Sequence, residues 1–471
     1  METNQQSDNK SNILLWLVAI GFFMETLDST IVNTALPAMA KSLNESPLAM
    51  HSVILGYSLT LAIFIPASGW FADRFGTKRT FLSAILIFSV GSLLCALSRS
   101  LPEIVASRVI QGAGGSMLLP IGRLAILRAF PGPKFLPALS FVTIPGLIGP
   151  LIGPTLGGYL VEYVSWHWIF LINLPIGIIG IVATYFAMPD LKAPRVAPFD
   201  LTGFIQLSLG MLCLSLALDG LSELGFTPSV VVLLMFAAAA AVASYFIHAT
   251  KVADPLFPLR LFRQQTYKTG IIGNLFARVG SSGMPFLIPL LLQLTLGYSA
   301  FQAGLTMLPV AISAIVAKRI INPIIQRTGY RYFLTVNTFL VGLSIASFAL
   351  FSPTHPMWLQ VIQLVFFGTV NSLQFTAMNT LTLKDVDPLY ASSGNSLFSM
   401  VQMLAMSLAV ATAGALLNTF TAQLKEVGSL AAFHATFLCM GAITCTSAYI
   451  FWQLPPETRT PRKPLVVPDV G

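Results

Sequence analysis

Charge is what this sequence has least of. Only 9% of its 471 residues are Asp, Glu, Lys or Arg, while 55% are hydrophobic. Ordinary soluble domains carry about 25% charged residues. A water-soluble fold of this size could not clothe its surface with so few charges, so lipid must replace water around most of the chain. Cysteine is scarce too. Cys95, Cys213, Cys439 and Cys445 all lie in apolar stretches, without disulfide-framework or metal-ligand spacing, and read as small buried hydrophobes. Signatures of chemistry are missing as well. The sequence has no Gly-x-x-x-x-Gly-Lys-Ser/Thr phosphate loop, no His-Glu-x-x-His and no Cys-x-x-Cys. The few charges within apolar runs form no nucleophile–base–orienter set. We therefore expect a chain that is not an enzyme, with no catalytic residues, no cofactor, no metal and no ATP-driven step.

What is present is a series of apolar runs, each about 20 residues or longer and so able to cross a bilayer. Six fall at 13–36, 51–72, 80–98, 102–126, 138–161 and 166–188. A polar, Pro-containing linker leads to two more at 201–220 and 228–249. The last six occupy 268–296, 300–318, 332–352, 356–382, 392–420 and 432–454. The runs are continuously apolar and lack the alternation of a barrel strand, so helices are predicted. Lys10 before the first run and Ala38-Met39-Ala40 after it mimic a secretory signal. The run is too long for a signal core, however, and contains Glu25 and Asp28, so it reads as an uncleaved span.

The basic residues test this count. With the N-terminus in the cytoplasm, 20 of the 26 Lys and Arg fall at cytoplasmic loops and termini. Three fall outside (Lys41, Arg99, Lys425) and three within spans (Arg108, Arg123, Arg278). A single crossing at 201–249 would push Lys251, Arg260, Arg263, Lys268, Arg327 and Arg331 to the outside, so two crossings are favoured. The net charge of +8 is thus a topology signal and not a nucleic-acid signal. An internal repeat supports two related halves. Aligning Gly76 of Gly69-Trp-Phe-Ala-Asp73-Arg74-Phe-Gly76-Thr-Lys78-Arg79 with Gly329 of Asn322–Arg331 also aligns Arg74 with Arg327 and Lys78 with Arg331. Each copy follows the second span of a six-span block, a transporter pattern.

The Gly69–Arg79 stretch resembles the loop signature of the major facilitator superfamily. Arg108-Val-Ile-Gln111-Gly112-Ala-Gly114 is similar to its fourth-helix motif. Gly149-Pro150-Leu-Ile-Gly153-Pro154-Thr-Leu-Gly157-Gly158 is similar to its fifth-helix antiporter motif. Leu27-Asp28-Ser-Thr30-Ile-Val-Asn33-Thr-Ala-Leu-Pro37 and Trp168-Ile-Phe-Leu-Ile-Asn173-Leu-Pro175 resemble the first- and sixth-helix motifs of the 14-helix drug:proton antiporter branch. The resemblance covers essentially the whole chain and implies an all-α polytopic membrane protein, a major facilitator fold of fourteen spans arranged 6+2+6. The domains would be a six-helix half at 1–188, a linker and inserted pair at 189–267, a second half at 268–454 and a cytoplasmic tail at 455–471. It implies a multi-pass protein of the bacterial inner membrane with both termini cytoplasmic, acting as a monomer.

Specific residues carry the expected function, proton-coupled export of small amphipathic compounds. Asp28 and Arg108 lie at matching depths, about 13 Å and about 9 Å from the outer ends of their helices. Buried charges of this kind mark ion or substrate paths, and Glu25 shares a helix face with Asp28. These three are the candidate proton-coupling residues. The resemblance makes Gly69, Asp73, Arg74, Gly76, Lys78 and Arg79 a gating loop in which Asp73 closes a charge latch. It makes Gly149, Gly153, Pro154, Gly157 and Gly158 a seal against leak. Arg278, near the middle of its span with no acid within a helical turn, is a candidate substrate ligand, with Asn371 and Gln374, and also Asn379, as hydrogen-bonding groups. The expected partners are a small-molecule substrate, protons and membrane lipid, with no nucleic acid. Arg108 and Arg278 also motivate a second reading, export of a small organic anion or metal-chelating metabolite.

Overall fold

Backbone N–H and C=O groups inside hydrocarbon find no water, so each span must satisfy them internally, as a helix does. The computed structural model describes residues 2–46, 49–193, 195–222, 225–425 and 428–456. Among these residues the regular elements are all helical. The spans are α1 (Asn12–Leu43), α2 (His51–Phe75), α3 (Thr77–Leu97), α4 (Leu101–Ala129), α5 (Phe135–Tyr163), α6 (Trp168–Ala187), α7 (Leu201–Gly220), α8 (Pro228–Ala249) and α9 (Gln265–Leu296). A long helical stretch, Phe301–Leu350, follows, then α12 (Met357–Leu383), α13 (Pro388–Gln423) and α14 (Ser429–Trp452). Helix α5 is bent by 44° between Pro150 and Ile152, where prolines remove backbone donors. Of the expected tail at 455–471, residues 457–471 lie outside the described residues.

The Phe301–Leu350 stretch is two spans, because Gly329 sits at φ 76° and ψ 161°. That region is essentially closed to residues with a Cβ. It separates α10 (301–328) from α11 (330–350) and brings the count among the described residues to the fourteen expected, as six, two and six. Gly76 holds the same conformation (φ 88°, ψ 154°) between α2 and α3. The two glycines aligned by the sequence repeat therefore break the chain in the same way. With an even number of crossings among the described residues, the start of α1 and the end of α14 lie at one face. That face also carries the α2–α3, α4–α5, α6–α7, α8–α9, α10–α11 and α12–α13 joins and most of the Lys and Arg, and we call it the basic face.

One boundary differs from expectation. The tenth span does not end at 318 but continues about three turns further, through Lys318 and Arg319, to residue 328. Lys318 was placed at the basic face with the loop cations. It is instead buried, and its Nζ donates to Thr143 Oγ1 of α5 (3.0 Å) and to Thr376 Oγ1 of α12. Hydroxyls from two neighbouring helices take the place of water, which lets the helix carry this cation through the bundle interior.

Packing positions the site. Helix α1 lies along α5. The approach is close: a Cβ at Gly149 would stand 2.8 Å from Leu27 N, and one at Gly157 2.9 Å from Ile31 O. Small residues allow such contact where no hydrophobic drive distinguishes helix from lipid. Helix α7 packs on both α2 and α13, whereas α8 packs chiefly on α7 and turns Val232, Leu233 and Phe236 outward. Helix α13 meets the basic-face end of α2. There Ser68 Oγ lies 2.8 Å from Ser396 Oγ, and a Cβ at Gly69 would fall 2.6 Å from Ser392 O.

The Gly76 break yields a stability test. Gly76→Ala would force a Cβ into a forbidden backbone region and onto the Asp190 carboxylate, whereas Gly132, at φ 66°, has open space around it. Thermal unfolding in detergent should show Gly76→Ala destabilised by about 2 kcal/mol and Gly132→Ala by less. Equal shifts for the two would count against the break as a built feature.

Candidate functional site

A carboxylate in the middle of a bundle must be paired or hydrogen-bonded to stay ionised. Asp28 is both. It is fully buried on α1, and its Oδ2 accepts from an Arg108 guanidinium nitrogen at 2.6 Å. Its Oδ1 accepts from Gln111 Nε2 (2.8 Å) and Asn173 Nδ2 (3.0 Å). Arg108 and Gln111 reach it together because they stand three residues apart on α4, on one helix face. Asn173 comes from α6, and Ser92 of α3 accepts from both amides at 2.7 and 3.3 Å.

Arg108 is held on its other sides as well. Its Nε donates to Val53 O at 3.3 Å, the nitrogen that binds Asp28 also donates to Gln111 Oε1 at 2.7 Å, and the group lies 4.2 Å from the Tyr57 ring centroid. A cation over an aromatic face in a dry site is stabilised by the ring quadrupole. The pair is therefore one node in a network drawn from α1, α2, α3, α4 and α6. Two polar atoms in it have no partner among the described residues: Asn173 Oδ1 and Tyr57 Oη. Glu25, one turn before Asp28, is buried at 8% exposure and forms no ion pair among the described residues.

The loop residues divide into two groups. Asp73, at the basic-face end of α2, pairs with Arg128 at the end of α4 (2.6 Å). It also accepts from Ser392 Oγ of α13 at 2.5 Å, and Arg128 donates to that same hydroxyl at 2.7 Å. A second Arg128 nitrogen donates to Leu191 O at 3.1 Å. The Asp73 carboxylate thus clasps α2, α4 and α13 together. Gly69 allows the close α2–α13 contact and Gly76 the break. Lys78 lies 5.4 Å from the Tyr185 ring centroid, while Arg74 and Arg79 are exposed. Of the fifth-helix glycines, Gly149, Gly153 and Gly157 press on α1, whereas Gly158 has open space and Pro154 sits beyond the α5 bend.

Arg278 also lies inside the bundle, at 4% exposure on α9. Its Nε donates to Asn274 Oδ1 at 3.0 Å and a terminal nitrogen to Asn379 Oδ1 at 3.3 Å, and it stacks 4.4 Å from the Phe375 centroid. Of the three amides expected to supply hydrogen bonds, Asn379 reaches it and the other two are elsewhere. Gln374 is engaged by α11, accepting from Asn337 Nδ2 at 2.9 Å and donating to Thr338 Oγ1 at 2.5 Å. Asn371 is half-buried without a described bond to Arg278. Sequence reading missed Gln111, Asn173 and Ser92 around Asp28, Arg128 as the partner of Asp73, and Lys318. Gln111 and Asn173 stood within the motifs already noted and carried a usable signal. Arg128 and Ser92 carried none.

Comparison with known proteins agrees with this architecture. The chain matches the Major Facilitator Superfamily over residues 18–410. It is 51% identical over 447 residues to "Putative multidrug resistance protein MdtD" of Pectobacterium carotovorum, covering 94% of this chain and 96% of the relative. The protein of that name from Serratia proteamaculans is 49% identical over 461 residues, covering 97% and 96%. Two solved structures share the fold at low identity. They are the human organic anion transporter MFSD10 (TM-score 0.66, 14% identity, 94% of this chain and 99% of that one) and the proton:xylose symporter XylE (TM-score 0.65, 15% identity, 96% and 97%). The chain is a multi-pass membrane transporter that belongs to the Major Facilitator Superfamily.

Proposed function

We propose that this chain exports small amphipathic compounds in exchange for protons, with Asp28 as the proton carrier. The buried, three-donor Asp28 site carries this reading. In the ionised state Arg108, Gln111 and Asn173 satisfy the carboxylate. Protonation removes the charge that Arg108 neutralises and turns one carboxyl oxygen into a donor. Asn173 Oδ1, which has no donor among the described residues, can accept a hydrogen bond from that O–H after a half-turn of the amide. The Arg108 charge is then released to seek another partner, and the packing of α1 against α4 and α6 changes with it. Glu25, one turn away, is a second proton acceptor on the same path.

The remaining expected residues support an alternating-access cycle. The residues 1–188 and 268–454 act as two rocking halves, with 189–267 as the inserted segment and 455–471 as a tail. The Asp73–Arg128–Ser392 clasp, flanked by Gly69 and Gly76 and by the basic Arg74, Lys78 and Arg79, latches the halves at the basic face. The contact of Gly149, Gly153 and Gly157 with α1, continued by Pro154 and Gly158, is the seal that keeps substrate exchange from becoming leak. The basic face is the cytoplasmic side of a bacterial inner membrane, both termini lie there, and the monomer in lipid is the working unit. The multidrug-resistance names of the MdtD relatives support efflux of drug-like compounds. A second reading, export of a small organic anion, is favoured by Arg278 and by the buried Lys318.

Two measurements test the cycle. In everted vesicles with an imposed pH gradient, Asp28→Asn should reduce export of a lipophilic fluorescent dye to the level of empty vesicles, while the protein elutes as a single species. Wild-type flux in that variant, or flux indifferent to the gradient, would sink the proton role. For the latch, spin labels at the exposed positions Phe75 and Leu389 report the basic-face gap. Asp73→Asn should move the distance distribution to longer separations, and an unchanged distribution would remove the latch from the account.

A further inference from the structure

At the basic face, each six-helix half carries the same pairing of a cation with an aromatic ring. Lys78 is the second residue of α3, and its Nζ stands 5.4 Å from the ring centroid of Tyr185, in the last turn of α6. Arg331 is the second residue of α11, and its guanidinium lies 4.4 Å from the ring centroid of Trp452, the last residue of α14. The helices that carry each pair are packed together. A Cβ at Gly177 of α6 would stand 3.2 Å from Ser89 Cβ of α3, and one at Gly342 of α11 2.7 Å from Cys445 N of α14. The cations follow the internal repeat, since aligning Gly76 with Gly329 also aligns Lys78 with Arg331. The rings come from the closing helix of each half.

Both pairs face outward from the bundle. Tyr185, Phe186, Tyr332, Tyr449 and Trp452 are all half exposed or more. Around a membrane protein such rings sit at the level of the lipid headgroups. A basic residue at this face needs no explanation beyond topology, but the bonding of these two does. Neither Lys78 nor Arg331 forms an ion pair among the described residues. Lys384 differs: it stands 4.5 Å from the Tyr330 ring centroid and has the Asp385 carboxylate at 3.8 Å. In addition, Arg331 Nε has no acceptor among the described residues, although the atom is buried. The Nε–H and a terminal N–H of a guanidinium form a fork that takes two oxygens of one anionic group side by side. The Trp452 ring steadies the cation but supplies neither an acceptor oxygen nor a negative charge.

We propose that Arg331 with Trp452, and Lys78 with Tyr185, are two headgroup sites for acidic phospholipids of the leaflet that meets the basic face, one site in each half. Charge selects the lipid. A phosphodiester with net negative charge neutralises the unpaired cation, whereas a zwitterionic headgroup brings a second cation to the same place. The Arg331 fork takes two phosphodiester oxygens, with the half-exposed Trp452 ring moving aside to admit them. Lys78 offers a single point charge, so its site is the weaker. Acyl chains lie along the exposed apolar faces of α6 and α14. Each site joins the helix that starts just after a glycine break, Gly76 or Gly329, to the closing helix of its half, and a bound lipid braces that junction.

Native mass spectrometry of the purified full-length chain tests this, with phosphatidylglycerol and phosphatidylcholine of identical acyl chains titrated into the detergent. The wild type should retain two molecules of phosphatidylglycerol more tightly than any of phosphatidylcholine. Arg331→Gln should weaken the tighter step roughly tenfold, the ratio for a lost hydrogen bond to a charged group. Lys78→Gln should weaken the other roughly fivefold, the ratio for one basic residue at an anionic membrane surface. Arg331→Lys keeps the charge but not the fork. It should fall between wild type and Arg331→Gln, which separates lipid binding from a loss of folding. Equal retention of the two lipids, or a phosphatidylglycerol preference that both Gln variants leave intact, would overturn the proposal. Displacement of phosphatidylglycerol by equimolar inorganic phosphate would overturn it too, by showing a site for free anions that needs no lipid.

Discussion

A charge placed in hydrocarbon must be neutralised or surrounded by hydrogen-bonding groups, and most of this structure follows from how few charges are placed there. With only 9% charged residues, nearly every Lys and Arg can sit at the ends of helices, which sets the crossing pattern. The exceptions are instructive. Asp28 and Arg108 neutralise each other at 2.6 Å, within a shell of two amides and a serine drawn from α3, α4 and α6. Arg123, Arg278 and Lys318 are hydrogen-bonded without a carboxylate partner among the described residues. The first arrangement suits a group that changes its own charge.

The same constraint explains the two faces of the bundle. Near the basic face the clasp of Asp73, Arg128 and Ser392 can rest on partly exposed side chains, because water is close and the charges need not be fully buried. Such an interaction is individually weak and easily broken, which suits the latch proposed for it. Deeper in the membrane, contact between α1 and α5 relies on glycines and threonines, since lipid and leucine are equally apolar there and only close packing and polar groups hold helices together.

Much of the fold was legible in the sequence because its signals are local. Apolar runs of the right length, the sidedness of Lys and Arg, and the Gly76–Gly329 repeat are all read from neighbouring residues. Where a signal was not local, reading stopped. Lys318-Arg319 looks like the edge of a membrane span, and only Thr143 and Thr376, far away in the chain, reveal that Lys318 is interior. Asp28 and Arg108 could be matched by depth, but depth alone could not select Gln111, Ser92 and Asn173 from the other polar residues at that level. In α12, Asn371, Gln374 and Asn379 were equivalent by composition. Helix rotation decided that Asn379 faces Arg278, while Gln374 faces α11.

The central claim is that the Asp28 carboxylate takes up and releases a proton inside the bundle. Difference infrared spectroscopy of the reconstituted protein, cycled between neutral and acidic buffer, observes this directly. The account predicts a protonated-carboxyl band that grows on acidification, is diminished in Asp28→Asn and shifts in Asn173→Ala, because Asn173 is its hydrogen-bond partner. A band that Asp28→Asn leaves unchanged would contradict it.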